Sequence, residues 1–322
     1  MGLRVGIVGT NFISDWFVAA AGETAGALEP VAVFSRGRER GEEFAAGHGL
    51  QLATDRLEDL IAAVDAVYVA SPTGTHFSQA MAAIDAGRHV LVEKTMTANA
   101  QEAEALFAAA EAAGVVVMEA TRNLHAPPHR AVKAALERIA PLRFADLVNL
   151  QYSSRYDRHR RGVHVNAFDP TLGNSAVADI GVYALEPALD WFGFPQETSG
   201  RSLRLDNGFE ALGVILLDYG EMLANVTYGK IVGSAVASQI VGERGEITID
   251  HLGQPALIEL HLRGGPSEIL WVDDGITPEG GMHHELEEFA RQVERGETDP
   301  HWREISLNAR RLMDDQLARS GA

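Results

Sequence analysis

Cysteine is missing from all 322 residues, which excludes disulfides, thiolate nucleophiles and cysteine-ligated metals. Lysine is nearly missing as well: Lys94, Lys133 and Lys230 are the only three, although arginine is used freely. No stretch approaches the roughly 20 apolar residues that span a bilayer, and Met1 to Thr10 shows neither a charged leader nor a cleavage site. A cytoplasmic protein without a membrane partner is therefore expected. The formal net charge is −18 and no long Lys/Arg run offsets it. Such a chain repels a phosphate backbone, so nucleic acid is not an expected partner. Metal motifs are lacking too. His125 and His129 have metal-like spacing but are separated by Pro127 and Pro128, and His283 and His284 point in different directions on a helix, which predicts a solvated pair. No metal is expected.

A chain of this length exceeds what one hydrophobic core serves, which predicts two domains. Apolar residues make up 46% and charged residues 22%, the balance of a globular protein. From Leu3 to about Ala120, short apolar runs alternate with longer Ala-rich stretches, the pattern of βαβ units on a parallel sheet. Strands are expected at Leu3 to Val8, Pro30 to Phe34, Ala66 to Ala70, His89 to Val92 and Val115 to Glu119. Helices are expected at Ser14 to Ala21, Arg38 to Gly47, Thr75 to Ala86 and Asn99 to Ala113. The pattern changes after Arg122. Strand-like runs between Leu142 and Val272, divided by Gly, Asn-Gly or Arg-Gly turns, predict a large, mainly antiparallel sheet. Helices from Met282 to Arg295 and from Ile305 to Arg319 close the chain. The expected class is α/β: a Rossmann domain over 1–122, then an α+β domain with an open sheet over 123–322.

The first strand runs into Gly9-Thr10-Asn11-Phe12-Ile13-Ser14, where the fingerprint G-x-G-x-x-G/A falls on Gly9, Asn11 and Ser14. Only the first glycine is present. It lets the strand turn tightly into a helix whose N-terminal amides can hold a pyrophosphate. Asn11 tolerates a left-handed backbone, but its side chain takes room beside the phosphates. The end of the second strand decides the nucleotide. NAD sites place Asp or Glu there, whereas this chain has Ser35-Arg36, with Arg38 and Arg40 close behind. A hydroxyl and a guanidinium suit a 2′-phosphate, so NADP(H) is favoured over NAD(H); the plainer alternative is a solvated helix start.

Lys94, in Val92-Glu93-Lys94-Thr95, falls just past the fourth expected strand, at the carboxyl edge where open α/β sheets bind ligands. An ammonium there can stabilise a developing oxyanion or deliver a proton; the alternative is a surface lysine paired with Glu93. Four separated motifs then share one pattern. They are Gly9-Thr10-Asn11-Phe12-Ile13, Ala70-Ser71-Pro72-Thr73-Gly74-Thr75-His76, Gly87-Arg88-His89-Val90-Leu91-Val92-Glu93-Lys94, and Asp169-Pro170-Thr171-Leu172-Gly173-Asn174-Ser175-Ala176 leading into Asp179-Ile180-Gly181-Val182-Tyr183. In this order they resemble the Gfo/Idh/MocA family of oxidoreductases over essentially the whole chain.

The resemblance implies hydride transfer between a nicotinamide and a sugar-like, cyclitol or other small hydroxy or carbonyl compound. It sets Lys94 at the family's Glu-Lys-Pro lysine and Tyr183 where members carry His or Tyr. Asp179 and Tyr183 share a face if Asp179 to Trp191 is one helix, which makes Lys94, Asp179 and Tyr183 the catalytic candidates. Tyr183 would exchange a proton with substrate while Lys94 favours its phenolate. The resemblance also puts Ser71, Thr73 and His76 beside the nicotinamide, unless Thr73 or Thr75 simply caps the next helix. Gly9, Asn11, Phe12, Ile13, Ser35, Arg36, Arg40, Glu93, Lys94 and Arg122 complete the expected cofactor contacts. Glu93 would reach the nicotinamide ribose, and Arg122 a phosphate or substrate carboxylate; local or interdomain ion pairs are the alternatives for both. Thr95 stands where the family has proline, and a cis bond before it costs about 3 kcal/mol or more, which predicts a trans peptide or deliberate strain. The family's open sheet face implies a homo-oligomer, dimer or tetramer, and Arg155 to Arg161 a loop over the substrate cleft or at a second subunit. A rival reading keeps the fold and drops the chemistry, leaving a nucleotide-sensing protein; Asn11 and Thr95 favour it, while Lys94, Asp179 and Tyr183 oppose it.

Overall fold

The computed structural model describes residues 2–273, 275 and 279–319; Met1 and 320–322, the outer ends of the two expected domains, lie outside the described residues. In the first part of the chain β1 (Leu3–Val8), α1 (Phe12–Glu23), β2 (Leu28–Phe34), α2 (Arg38–His48), β3 (Leu52–Thr54), α3 (Leu57–Ala62), β4 (Ala66–Val69), α4 (His76–Asp85), β5 (His89–Glu93), α5 (Ala100–Ala113) and β6 (Val117–Ala120) alternate. Their strands pair in parallel in the order β3-β2-β1-β4-β5-β6, the doubly wound order of dinucleotide-binding sheets. Every residue of β4 is buried, as helices on both faces require of a central parallel strand. β3 and α3 escape the sequence pattern because three half-buried residues carry no periodicity.

Next come α6 (Arg122–His125), α7 (Pro127–Ile139), β7 (Leu142–Leu150), α8 (Tyr156–Arg160) and α9 (Val182–Phe192). β8 (Glu197–Arg204), β9 (Glu210–Asp218), β10 (Leu223–Gly229), β11 (Ser238–Gly242), β12 (Gly245–Ile249), β13 (Leu257–Leu262) and β14 (Ser267–Val272) follow, then α10 (His283–Arg295) and α11 (Pro300–Arg319). The second sheet has the order β14-β13-β12-β11-β7-β10-β9-β8, antiparallel except where β10 pairs with β7. Alternation assigns its faces. Leu147, Val226, Ile215, Ile240 and Ile247 are buried on the side covered by α7 and α9, while Phe144, Val214 and Leu223 stand exposed on the other. β8 opens with Glu-Thr-Ser-Gly-Arg, a stretch too polar to read as a strand from the sequence.

The chain divides into two compact units, but not as one cut after Arg122. The first unit takes the chain up to Arg122 and, again, the stretch ending at Leu307; the second takes Asn123 onward and, again, Asn308 onward. The expectation of an unbroken second domain over 123–322 is corrected here, and burial gives the reason. Met282, Leu286 and Phe289, on and just before α10, share a core with Phe17, Tyr68 and Leu91 of the Rossmann unit.

Glu285 sits in that same core. It is fully buried, and among the described residues neither carboxyl oxygen has a hydrogen-bond partner. Burial pushes its pKa well above the ordinary carboxyl range, Glu93 pushes it further, and Arg122 opposes both. The folded state thus holds this proton more tightly than the unfolded chain, whose carboxyl titrates near 4.5. Stability from this group declines as pH rises from there toward the folded value. Glu285→Gln keeps the shape and removes the titration. Calorimetry across pH is expected to show a flatter fall of Tm above about pH 5, and at about pH 8 a Tm at or above the parent's, by about 2–4 °C per kcal/mol relieved.

Candidate active site

At the head of the first unit, β1 ends at Val8 and the chain turns at Gly9 with φ 117. A Cβ there would lie 2.8 Å from the Ala70 carbonyl oxygen at the end of neighbouring β4, so no side chain fits. Asn11 caps α1 from an extended backbone, φ −100 and ψ 177, not the left-handed one its residue type suggests. Its Oδ1 accepts from the Ile13 amide at 2.9 Å and its Nδ2 donates to Ala70 O at 2.7 Å. The side chain expected to crowd a phosphate instead closes the turn against β4. Phe12 is exposed and edge-on to Trp16, Ile13 is half-buried, and Ser14 is buried where a small residue lets α1 approach the sheet.

At the end of β2, Ser35 is buried and its amide donates to Thr54 O. The three nearby arginines differ. Arg38 pairs with Glu42 at 2.9 Å, and Arg40 Nη2 donates to Thr10 O at 2.7 Å, tying α2 to the glycine turn. Arg36 is exposed and makes no hydrogen bond or ion pair among the described residues.

Lys94 follows β5 at the carboxyl edge of the parallel sheet and is half-buried. Its neighbours are pinned on three sides. Glu93 Oε1 accepts from Tyr68 Oη at 2.6 Å inside the core; burial raises its pKa, opposed by that hydrogen bond and by Lys94 and Arg122. Thr95 O lies 3.2 Å from His76 Nδ1, and His76 Nε2 lies 2.7 Å from Ser71 O. The Met96 amide donates to Glu119 Oε1 at 2.7 Å. The Lys94–Thr95 peptide, expected trans or strained, is cis.

Several residues expected to contact the cofactor have partners within the protein. His76 is buried, burial lowers its pKa, and its ring lies between the loop after β4 and the segment after Lys94, one nitrogen against the Ser71 carbonyl and the other against that of Thr95. Glu93 accepts the hydrogen bond of Tyr68 within the core. Arg122 stacks over the Trp16 ring at 5.5 Å and donates to Glu279 O at 3.4 Å, and its charge opposes the rise in pKa of Glu93 and Glu285. Ser71 Oγ bonds Thr75 Oγ1 at 2.8 Å and Gln79 Oε1 at 2.6 Å, and Thr73 opens a short 3-10 turn, Thr73–Thr75. Neither threonine caps α4 through its side chain.

In the second unit Asp179 lies in a single π-helical turn, Val177–Gly181, and α9 begins only at Val182, so the one helix expected from Asp179 to Trp191 is really two geometries in series. Three anchors hold the segment. Glu210 Oε2 accepts from the Val177 amide at 2.9 Å and its Oε1 from Tyr228 Oη at 2.7 Å, placing a carboxylate at the start of the turn. Asn149 Nδ2 donates to Ile180 O at 2.9 Å. Pro187, inside α9, has no N–H to offer the Tyr183 carbonyl one turn back, and Asn123 Nδ2 donates to that oxygen at 3.3 Å. Tyr183 is half-buried. Asp179 Oδ2 forms an ion pair with Lys230, at the end of β10. In the sequence only the rarity of lysine marks Lys230, since β10 and the π turn are far apart in the chain.

Among the described residues no group of three or more His, Asp or Glu side chains gathers as a metal site would need. His129 Nε2 meets Asp190 Oδ2 at 2.7 Å in the core of the second unit. His283 and His284, expected to be solvated, have rings 3.9 Å apart and pair with Glu23 and Glu287.

Known proteins share this architecture. The model of an oxidoreductase family with an NAD-binding Rossmann fold, GFO_IDH_MocA, matches residues 3–121. A scyllo-inositol 2-dehydrogenase (NADP(+)) of Bacillus subtilis is 36% identical over 323 residues, which cover 99% of this chain and 97% of that protein. A D-xylose 1-dehydrogenase (NADP(+)) of Haloferax volcanii is 30% identical, over 97% of this chain and 95% of its own. Among solved structures, a 3-ketoreductase from Actinomadura kijaniata in complex with NADP and TDP-benzene gives a TM-score of 0.86 at 25% identity, covering 99% of this chain and 98% of that one. With the parallel sheet, the glycine turn and the Glu93-Lys94 edge in place, the chain belongs to the Gfo/Idh/MocA family of Rossmann-fold oxidoreductases.

Proposed function

We propose that this chain is an NADP(H)-dependent oxidoreductase acting on a sugar, a cyclitol or a related small hydroxy or carbonyl compound. Lys94 carries the reading: the first unit has this one lysine, and it stands at the carboxyl edge of the sheet with both flanking residues pinned. Relatives named as NADP(+)-dependent dehydrogenases of an inositol and of xylose support the same reaction class. Nothing in the site favours the silent, nucleotide-sensing alternative.

The residues present fit a dinucleotide. The Gly9 turn leaves a cradle that a Cβ would fill, and the N-terminus of α1 offers its dipole to a pyrophosphate. Ser35 and the uncommitted guanidinium of Arg36 suit the 2′-phosphate, while Arg40 stiffens the turn beside them. NADP, when bound, supplies or accepts the hydride. Lys94 Nζ donates a hydrogen bond to the reacting oxygen and offsets the negative charge that develops there. Tyr183 Oη gives that oxygen a proton in reduction and takes one in oxidation. Asp179 accepts a hydrogen bond from a substrate hydroxyl and fixes its orientation.

The reading extends to a cytoplasmic homo-oligomer. No described helix is long and apolar enough to cross a membrane. On the outer face of the second sheet Phe144 and Leu223 lie opposite each other on β7 and β10, and Val214 and Leu216 continue the strip on β9, all exposed. An apolar strip across paired strands suits a two-fold contact.

Fluorescence titration is expected to show NADPH binding more tightly than NADH, and Arg36→Ala to cut that preference about ten- to a hundredfold. A preference for NADH would overturn the cofactor assignment. On a panel of sugars, cyclitols and their ketones, Lys94→Ala and Tyr183→Phe are each expected to lower kcat by about a hundredfold or more, Tyr183→Phe with NADPH affinity kept; parent-level turnover in Lys94→Ala would overturn the mechanism. Light scattering should show Val214→Asp as a monomer where the parent is an oligomer, and an unchanged mass would remove this face from the assembly.

A further inference from the structure

Lys230 is among the most buried charged side chains of the second unit, 5% exposed. Its backbone is fixed from both sides: its amide donates to Ala211 O at 2.9 Å, and its carbonyl accepts from the Ser153 amide at 3.0 Å. The ammonium lies over two aromatic rings, 5.3 Å from the centre of Phe168 and 5.8 Å from that of Phe209. It donates to Ala167 O at 3.3 Å and to Asp179 Oδ2. The two partners differ in exposure. The lysine side chain is 6% accessible, while that of Asp179 is 41% accessible.

A cation in such a box is a poor device for stability. Desolvating an ammonium is costly, and an apolar side chain of similar length would pack between the rings without that penalty. A half-exposed carboxylate, in turn, gains little net stability from an ion pair. What the arrangement does accomplish is geometric. A rigid cation, immobilised by two rings and by its own backbone, holds one oxygen of the partly exposed carboxylate that an otherwise buried π turn presents.

We propose that Lys230 is a positioning residue of the active site: it clamps Oδ2 of Asp179 and so fixes the orientation in which that carboxylate meets a substrate hydroxyl. The inference depends on the role given to Asp179 above. It adds a residue, not a chemical step, since no proton or bond need change at Lys230 itself.

The scarcity of lysine makes the test clean, because 15N-lysine labelling of the full chain gives at most three Nζ signals. A slowly exchanging ammonium resonance is expected, identified by its loss in Lys230→Arg and abolished by Asp179→Asn. In steady-state assays Lys230→Met is expected to lower kcat/KM for the carbonyl or hydroxy substrate about ten- to a hundredfold while the Kd for NADPH stays unchanged. Lys230→Arg should recover part of the loss, and Lys230→Met combined with Asp179→Asn should lose no more than Asp179→Asn alone. If Lys230→Met does not fold by circular dichroism, Lys230→Gln takes its place in the cycle. A Lys230 signal indifferent to Asp179→Asn, or a folded Lys230→Met at the parent's kcat/KM, would overturn the proposal. A protected signal in a chain that turns over no substrate on the panel would instead sink the oxidoreductase reading, and the catalytic role of Lys230 with it, leaving the ion pair as a structural feature only.

Discussion

The constraint on which the first unit depends is the close approach of the β1–α1 turn to the end of β4. Gly9 has no Cβ because the Ala70 carbonyl occupies that space, and Asn11 fastens the same carbonyl to the start of α1. One backbone oxygen therefore sets where the helix N-terminus begins relative to the sheet edge. Arg40 extends the lock from the other side by holding Thr10 O. The fingerprint loses its second glycine without losing its turn, because the replacing residue moves from a backbone role to a capping role.

Both units bury ionisable groups, and each handles the cost differently. In the first, burial raises the pKa of both Glu93 and Glu285, the field of Glu93 adds to the rise at Glu285, and Arg122 opposes it at each. In the second, Lys230 is matched by a carboxylate and two ring faces, and Glu210 is matched by amides and a phenol. These groups adjoin the residues assigned to chemistry: Glu93 precedes Lys94, and Glu210 and Lys230 anchor the turn that carries Asp179. Buried polar networks of this sort make poor stabilisers but good locators, since any other geometry leaves a charge unpaired.

Proline plays a comparable part in α9. Removing one helical N–H at Pro187 leaves the Tyr183 carbonyl in need of a donor, and Asn123, from the start of the second unit, supplies it. The candidate acid is thereby held by a long-range side chain where a regular helix would have used its own backbone.

The alternation of apolar runs, the Gly9 turn and the edge lysine were legible in the sequence because each depends on near neighbours. Periodicity of two or 3.6 residues, a turn that needs glycine, and a strand ending in Glu-Lys are local facts. They suffice for the parallel sheet, the second sheet and the position of Lys94. What tertiary structure alone decided is the fate of the polar side chains around them: His76 and Glu93 turned inward, Arg122 on Trp16, α10 returned to the first unit, and Lys230 brought to Asp179 across a separation of 51 residues. Such pairings follow from which buried group finds a partner and which stays exposed, and that depends on packing between distant segments, of which a single sequence carries no periodic trace.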